Sequence, residues 1–173
     1  LSKNNSGTVV NVTDTLGGVH EDLDQLAGQA LETRTFLGRD GPLDKHTITA
    51  YWVSASSATR SRTGLSDLTS TRTGPVVIVA RQAVTSAATT TWRTTEADIT
   101  YVTSPTDPNF GLPITSYTHT VPVEAAYDTC TTTTYATPNT TANLVGLPAE
   151  TETDAVACGG FTAGSHAAAR ASV

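Results

Sequence analysis

The sequence predicts an all-β protein, an antiparallel strip of hairpins in meander order, and three observations carry that expectation. Threonine supplies about one residue in five, and its β-branched side chain suits a pleated surface better than a helix. Short alternating or apolar runs recur at fairly even spacing, with turn residues between them. Helical periodicity is confined to one short segment. With 6% aromatic and 15% charged residues among 173, the chain is long enough for one domain, but its core should be thin.

The expected strands run, in order, Thr8–Thr13, Gly18–Leu23, Gln29–Phe36, Thr47–Ser54, Asp67–Thr73, Val76–Gln82, Thr89–Val102, Ile114–Val121, Tyr127–Ala136 and Pro148–Ala157. Within Asp14–Phe36 the breaks Leu16-Gly17-Gly18 and Leu26-Ala27-Gly28 read as two turns between three strands. Glu21–Thr33 also holds Leu23, Leu26, Ala27, Ala30 and Leu31, a partial helical series. Gly28 interrupts it at a cost of about 1 kcal/mol against Ala, so a hairpin is preferred there to a helix. Pro75-Val76-Val77-Ile78-Val79-Ala80 has the length of one buried strand. The clearest alternation, Thr91 to Tyr101, is expected to pair antiparallel with Ile114–Val121 across the Ser104–Gly111 turn. Val76, Ile78, Trp92, Ile99, Tyr101, Tyr117 and Tyr135 are expected on the packed side. Residues 163–173 are rich in small side chains without periodicity and read as a flexible tail.

Charge and hydropathy exclude some functions. A net charge of −6 with ten scattered basic residues is unlike a phosphate-tracking surface, so no nucleic acid is expected as a partner. No apolar run reaches the ~18 residues of a membrane span. The chain lacks methionine, including at position 1; a piece of a longer protein, or a processed precursor, would account for that.

The two cysteines lie on either side of a Pro- and Gly-containing link, Thr137 to Pro148. Folding the segment near Leu144 brings Cys130 opposite Cys158, at a separation that suits a disulfide. An oxidising compartment would follow. Two unpaired, partly buried thiols are the alternative.

The search for chemistry returns little. His20-Glu21-Asp22-Leu23-Asp24 is neither HExxH nor a calcium loop, since Leu26 and Ala27 stand where a ligand and a Gly are needed. It reads as a solvated face. There is no G-x-S-x-G elbow, phosphate loop or dinucleotide fingerprint. His119 sits between Thr118 and Thr120 with no evident carboxylate partner and reads as a packed or exposed strand histidine, and Glu96 and Asp98 share a strand face without a recognisable pocket. No catalytic residue, metal site or cofactor is assigned. Asn4-Asn5-Ser6, Asn11-Val12-Thr13 and Asn139-Thr140-Thr141 match glycosylation acceptors. Tyr51, Trp52 and Trp92 are the candidates for an aromatic binding surface, with core packing as the competing explanation.

Val12-Thr13-Asp14-Thr15-Leu16-Gly17-Gly18-Val19-His20 resembles the VTDxLG unit of RHS/YD-repeat proteins, in a Thr-rich variety found in large secreted actinobacterial proteins. Further markers are Thr35-Phe36-Leu37-Gly38, Arg62 to Thr69, Thr91-Trp92-Arg93, Phe110-Gly111-Leu112-Pro113, Tyr117 to Pro122, Cys130 to Ala136, Glu150 to Thr153 and Val156-Ala157-Cys158. The family's YDxxGR signature is not intact; Asp24 to Gln29 lacks its Tyr and Arg. The resemblance implies a spiralling strip of hairpins, part of a β-shell around a C-terminal toxin, exported to the surface or medium and without catalysis of its own. On this reading residues 1–162 form an RHS-like β-repeat segment and residues 163–173 the tail. Its partners would be neighbouring repeats of the same chain and an encapsulated toxin domain. The alternative is an extracellular β-rich binding module for carbohydrate or a surface protein.

Overall fold

The computed structural model describes residues 10–86, 89–142 and 144–160. The expected tail, 163–173, and the start of the first expected strand lie outside them. The fold is all-β and antiparallel. Its strands are β1 (Asn11–Thr13), β2 (Val19–Glu21), β3 (Glu32–Phe36), β4 (Leu43–Val53), β5 (Ala58–Arg62), β6 (Leu65–Ser70), β7 (Thr73–Ser86), β8 (Thr89–Tyr101), β9 (Pro113–Val121), β10 (Thr129–Tyr135) and β11 (Pro148–Asp154).

Seven of them form one sheet, in the order β11-β10-β9-β8-β7-β4-β3. Its spatial order follows the chain, with the separate β5-β6 hairpin inserted between β4 and β7 and the β1-β2 hairpin ahead of β3. The pairing of β8 with β9 follows the expectation from the alternation, with Glu96 opposite His119 and Asp98 opposite Tyr117.

Directly opposed residues of an antiparallel pair share a face, so the registers assign both surfaces. One row of the front face runs Glu32-Ile48-Val79-Glu96-His119. One row of the back face runs Thr33-Thr47-Ala80-Thr95-Thr120. More of the sheet's threonines lie on the back, Thr118, Thr129, Thr131 and Thr153 among them, than on the front, where Thr94, Thr100, Thr115 and Thr132 sit.

Among the described residues the β1-β2 hairpin covers only the β3-β4 end of the front face, where Thr15 bonds Glu32 and meets His46, and the closest packing elsewhere is between neighbouring strands. Ile48, Phe110 and Cys130 are the buried apolar residues, at 5, 6 and 0% exposure, which is the thin core the composition predicts. Most globular domains bury a sheet face against another layer; here the strands remain half-exposed.

Three features differ from the expectations. Asp24–Leu26 forms a 3-10 turn; β2 pairs back with β1 and β3 forward with β4, so no hairpin turns at Leu26-Ala27-Gly28. Gly28, at φ 88°, instead redirects the chain in a conformation that side chains disfavour. Strand β5 has an exposed, polar sequence without an apolar rhythm and was not expected. The seven apolar residues assigned to a packed side do not share one. Ile78 and Ile99 lie on the back, whereas Trp92 and Tyr117 lie on the front.

Candidate functional site

Alternation along β8 places Glu96 and Asp98 on the front face, two residues apart. Strand β9 brings His119 opposite Glu96 and Tyr117 opposite Asp98. The His119 imidazole, which the sequence left without an acidic partner, thus meets two carboxylates across the strand. Nε2 lies 3.3 Å from Asp98 Oδ2 and 4.0 Å from Glu96 Oε1. The ring's other nitrogen, Nδ1, donates to the backbone carbonyl of Thr120 at 3.1 Å. That bond fixes the ring's orientation and turns Nε2 toward the acids.

A third carboxylate belongs to the same patch. Thr129 pairs with Thr118, and one step back from β10 and one step forward along the antiparallel β9 place Asp128 across from His119 on the front face. Asp128 is 4% exposed. Its Oδ2 accepts a 3.0 Å hydrogen bond from the Tyr117 hydroxyl, while its buried Oδ1 has no partner. The Tyr117 ring stacks on His119 with centroids 4.7 Å apart. Burial, and then the bond to Asp128, push the Tyr117 phenol above its ordinary value. For His119, burial works against the charged form, but the Thr120 carbonyl, Asp98 and Glu96 outweigh it and raise its affinity for a proton. Among the described residues no Lys or Arg forms a salt bridge with Glu96, Asp98 or Asp128. The patch is therefore one imidazole among three acids.

The disulfide joins Cys130 to Cys158. Its register differs from the expectation. Cys130 opposes Asp154 in the β10-β11 ladder, and Cys158 follows in the 3-10 turn Cys158–Gly160, folding back onto β10. The turn closes at the Asn139–Leu144 bridge, earlier in the link than the expected fold about Leu144, so the ladder sets Asp154 and not Cys158 opposite Cys130.

The candidate aromatic residues occupy separate settings. Trp52 stacks on Tyr101, with centroids 4.9 Å apart and planes at 9°, and meets Phe110 edge-on at 6.4 Å. Trp92 lies beneath the Arg81 guanidinium at 4.7 Å. Trp52 opposes Gly74 and Trp92 opposes Ala83, nine residues apart on β7, so about 30 Å separates them along the strand. Tyr51 donates its hydroxyl to the Ala30 carbonyl at 3.1 Å. It lines a groove of about 420 Å³ with Val12, Val19, Leu23, Leu26 and Leu31. From the His20–Asp24 cluster, His20 turns inward to Asp14 at 2.8 Å.

No protein family, curated protein or solved structure matches the chain. No helix among the described residues is long and apolar enough to cross a membrane.

Proposed function

We propose that the chain is a non-catalytic structural segment of a large secreted or cell-surface protein of the RHS/YD-repeat kind, helping to form a β-shell that encapsulates or delivers a C-terminal toxin. The observation that carries this reading is the seven-stranded meander, most of which has no second layer among the described residues. Such a sheet cannot remove both of its faces from water by itself, and its two edge strands, β3 and β11, offer unpaired backbone groups. In repeat architectures neighbouring windings supply the missing burial. A disulfide in so thin a core suits an oxidising exterior. The motif likeness Val12–His20 supplies the family.

The test is a far-UV circular dichroism melt of the isolated, oxidised 173 residues. A sloping, non-cooperative trace, sharpened when neighbouring repeats are restored, is the expected result. A sharp and reversible transition of the isolated chain would overturn the shell reading.

A second reading, an extracellular binding module for carbohydrate or a surface protein, rests on the open groove beside Tyr51. A ring forming one wall of a cleft that also holds His20, Glu21, Asp22 and Gln29 suits stacking on a sugar face. Saturable quenching of intrinsic fluorescence by one member of a glycan panel, lost in Tyr51→Ala, would favour it.

A further inference from the structure

The front-face patch around His119 carries an inference independent of the shell. Glu96, Asp98 and His119 each offer one ligand atom, and these atoms all lie within 4.8 Å of one another. In a tetrahedral zinc site with metal–ligand bonds of about 2.0–2.1 Å, ligand atoms sit roughly 3.3 Å apart. The Nε2–Oδ2 separation is already 3.3 Å, and the Nε2–Oε1 separation is 4.0 Å. Glu96 and Asp98 have side chains 30 and 41% exposed, so their flexible ends have room to draw in.

Three further observations point to a cation. Nδ1 of His119 faces the Thr120 carbonyl, so a neutral ring presents its Nε2 lone pair to two carboxylates, an arrangement that either a proton on Nε2 or a metal cation between them relieves. A carbonyl partner on the far nitrogen is also the usual support of a metal-bound imidazole. Asp128, 96% buried by its 4% exposure, keeps Oδ1 without a partner in the row of His119. Its second oxygen is held by Tyr117, which packs on the same imidazole. Finally, three acids face one imidazole, so even a protonated ring leaves an excess of negative charge.

We propose that Glu96, Asp98 and His119 bind a divalent transition metal, zinc as the first choice, with water completing the shell and Asp128 Oδ1 accepting a hydrogen bond from that water. One nitrogen with carboxylate oxygens suits zinc or manganese better than calcium, which prefers an all-oxygen set. The metal clamps β8 to β9 near the middle of the sheet, where among the described residues no second layer covers it. The sequence hides this site because its ligands come from two strands, with the Ser104–Gly111 turn between them.

The test is titration of the metal-free, oxidised 173-residue chain with zinc chloride, followed by calorimetry and by NMR of the imidazole nitrogens. One zinc per chain is expected, shifting Nε2 of His119 while its Nδ1 keeps the proton. Glu96→Gln and Asp98→Asn are part-exposed changes that preserve side-chain shape. Each should weaken binding by on the order of 10–100-fold, as loss of a metal-site partner does. Lack of saturable uptake by chain whose β8 and β9 amides are protected from exchange overturns the site, and where they are not protected the titration is made on chain with its neighbouring repeats restored. Uptake unchanged in both variants, or a response at His20 or His46 in place of His119, overturns it equally.

Discussion

The Tyr101 ring occupies the space where a side chain on Gly74 would begin. An added Cβ there would come within 2.5 Å of the Tyr101 hydroxyl, which donates to the Pro75 carbonyl at 2.7 Å. Gly74 is also the strand partner of Trp52, and the indole stacks on the same phenol. The missing side chain thus makes room for the Trp52–Tyr101 stack. Gly74→Ala should therefore overpack the site and cost about 1–3 kcal/mol. Tyr101→Phe, which keeps the ring and loses the hydrogen bond, should cost about 1 kcal/mol. Amide exchange of the β4-β7 ladder near Trp52 measures both; equal effects would contradict the packing argument.

Reducing the Cys130–Cys158 bond should loosen the β10-β11 hairpin first. The sequence separation is 28 residues, for which the chain-entropy account gives about 3–4 kcal/mol. Exchange in β10 and β11, with and without reductant, should differ accordingly, while β7 and β8 stay nearly unchanged. Cys130 is fully buried, so thiol reagents should label it only after that hairpin opens.

Glu32 ties the first hairpin to the sheet edge. Its carboxylate accepts the Thr15 hydroxyl at 2.8 Å and the Thr15 amide at 3.2 Å, and it meets the buried His46 at 3.0 Å. Glu32→Ala should release the β1-β2 hairpin and speed its amide exchange roughly tenfold or more. The β7-β8 ladder should not respond. A uniform acceleration across the sheet would show that the hairpin is not separately anchored.

Asp14 makes the first hairpin acid-sensitive. Its hydrogen bond with His20 holds the carboxyl below the ordinary range; burial opposes this, and the Gly18 and Leu16 amides add to it. A carboxyl whose folded value is depressed stabilises above its unfolded value, near about pH 4, and loses that contribution as pH falls through the folded value. Exchange at Leu16 and Gly18 should therefore rise on acidification below about pH 4. Asp14→Asn keeps the acceptor oxygen without the charge and should abolish that pH dependence.

How much of this was legible depended on whether the signal was local. The alternation Thr91 to Tyr101 exposed β8, and β9 followed because a turn of suitable composition separates the two. Strand β5 escaped because Ala58–Arg62 is exposed and polar; its pairing with β6 is a backbone property that apolar patterning does not report. The 3-10 turn at Asp24–Leu26 escaped because a few leucines at mixed spacing fit a helix, a turn and a strand almost equally. The cysteine pairing was visible, but not its register, since the turn closes at the Asn139–Leu144 bridge and not about Leu144 itself, and a small displacement of a turn moves the residue opposed across the hairpin by twice as much. His119 shows the limit most clearly. Its relation to Glu96 and Asp98 depends on a cross-strand register, and a slip of one residue would have sent the imidazole to the opposite face.

The strand order has a mechanical consequence. Because β3 and β11 lie on opposite edges, tension arriving through the flanking chain unzips the ladder one strand at a time, which needs less force than shearing a whole strand at once. The Cys130–Cys158 link changes that at one end. Pull entering beyond Cys158 passes directly to Cys130, so β11 carries no load and the loop spanning the 28-residue separation of the cysteines contributes no extension, a shortening of about 90–100 Å at 3.3–3.6 Å per residue. Under oxidising conditions the sheet should therefore peel from the β3 side, with the last hairpin surviving as a knot that only reductant lets out.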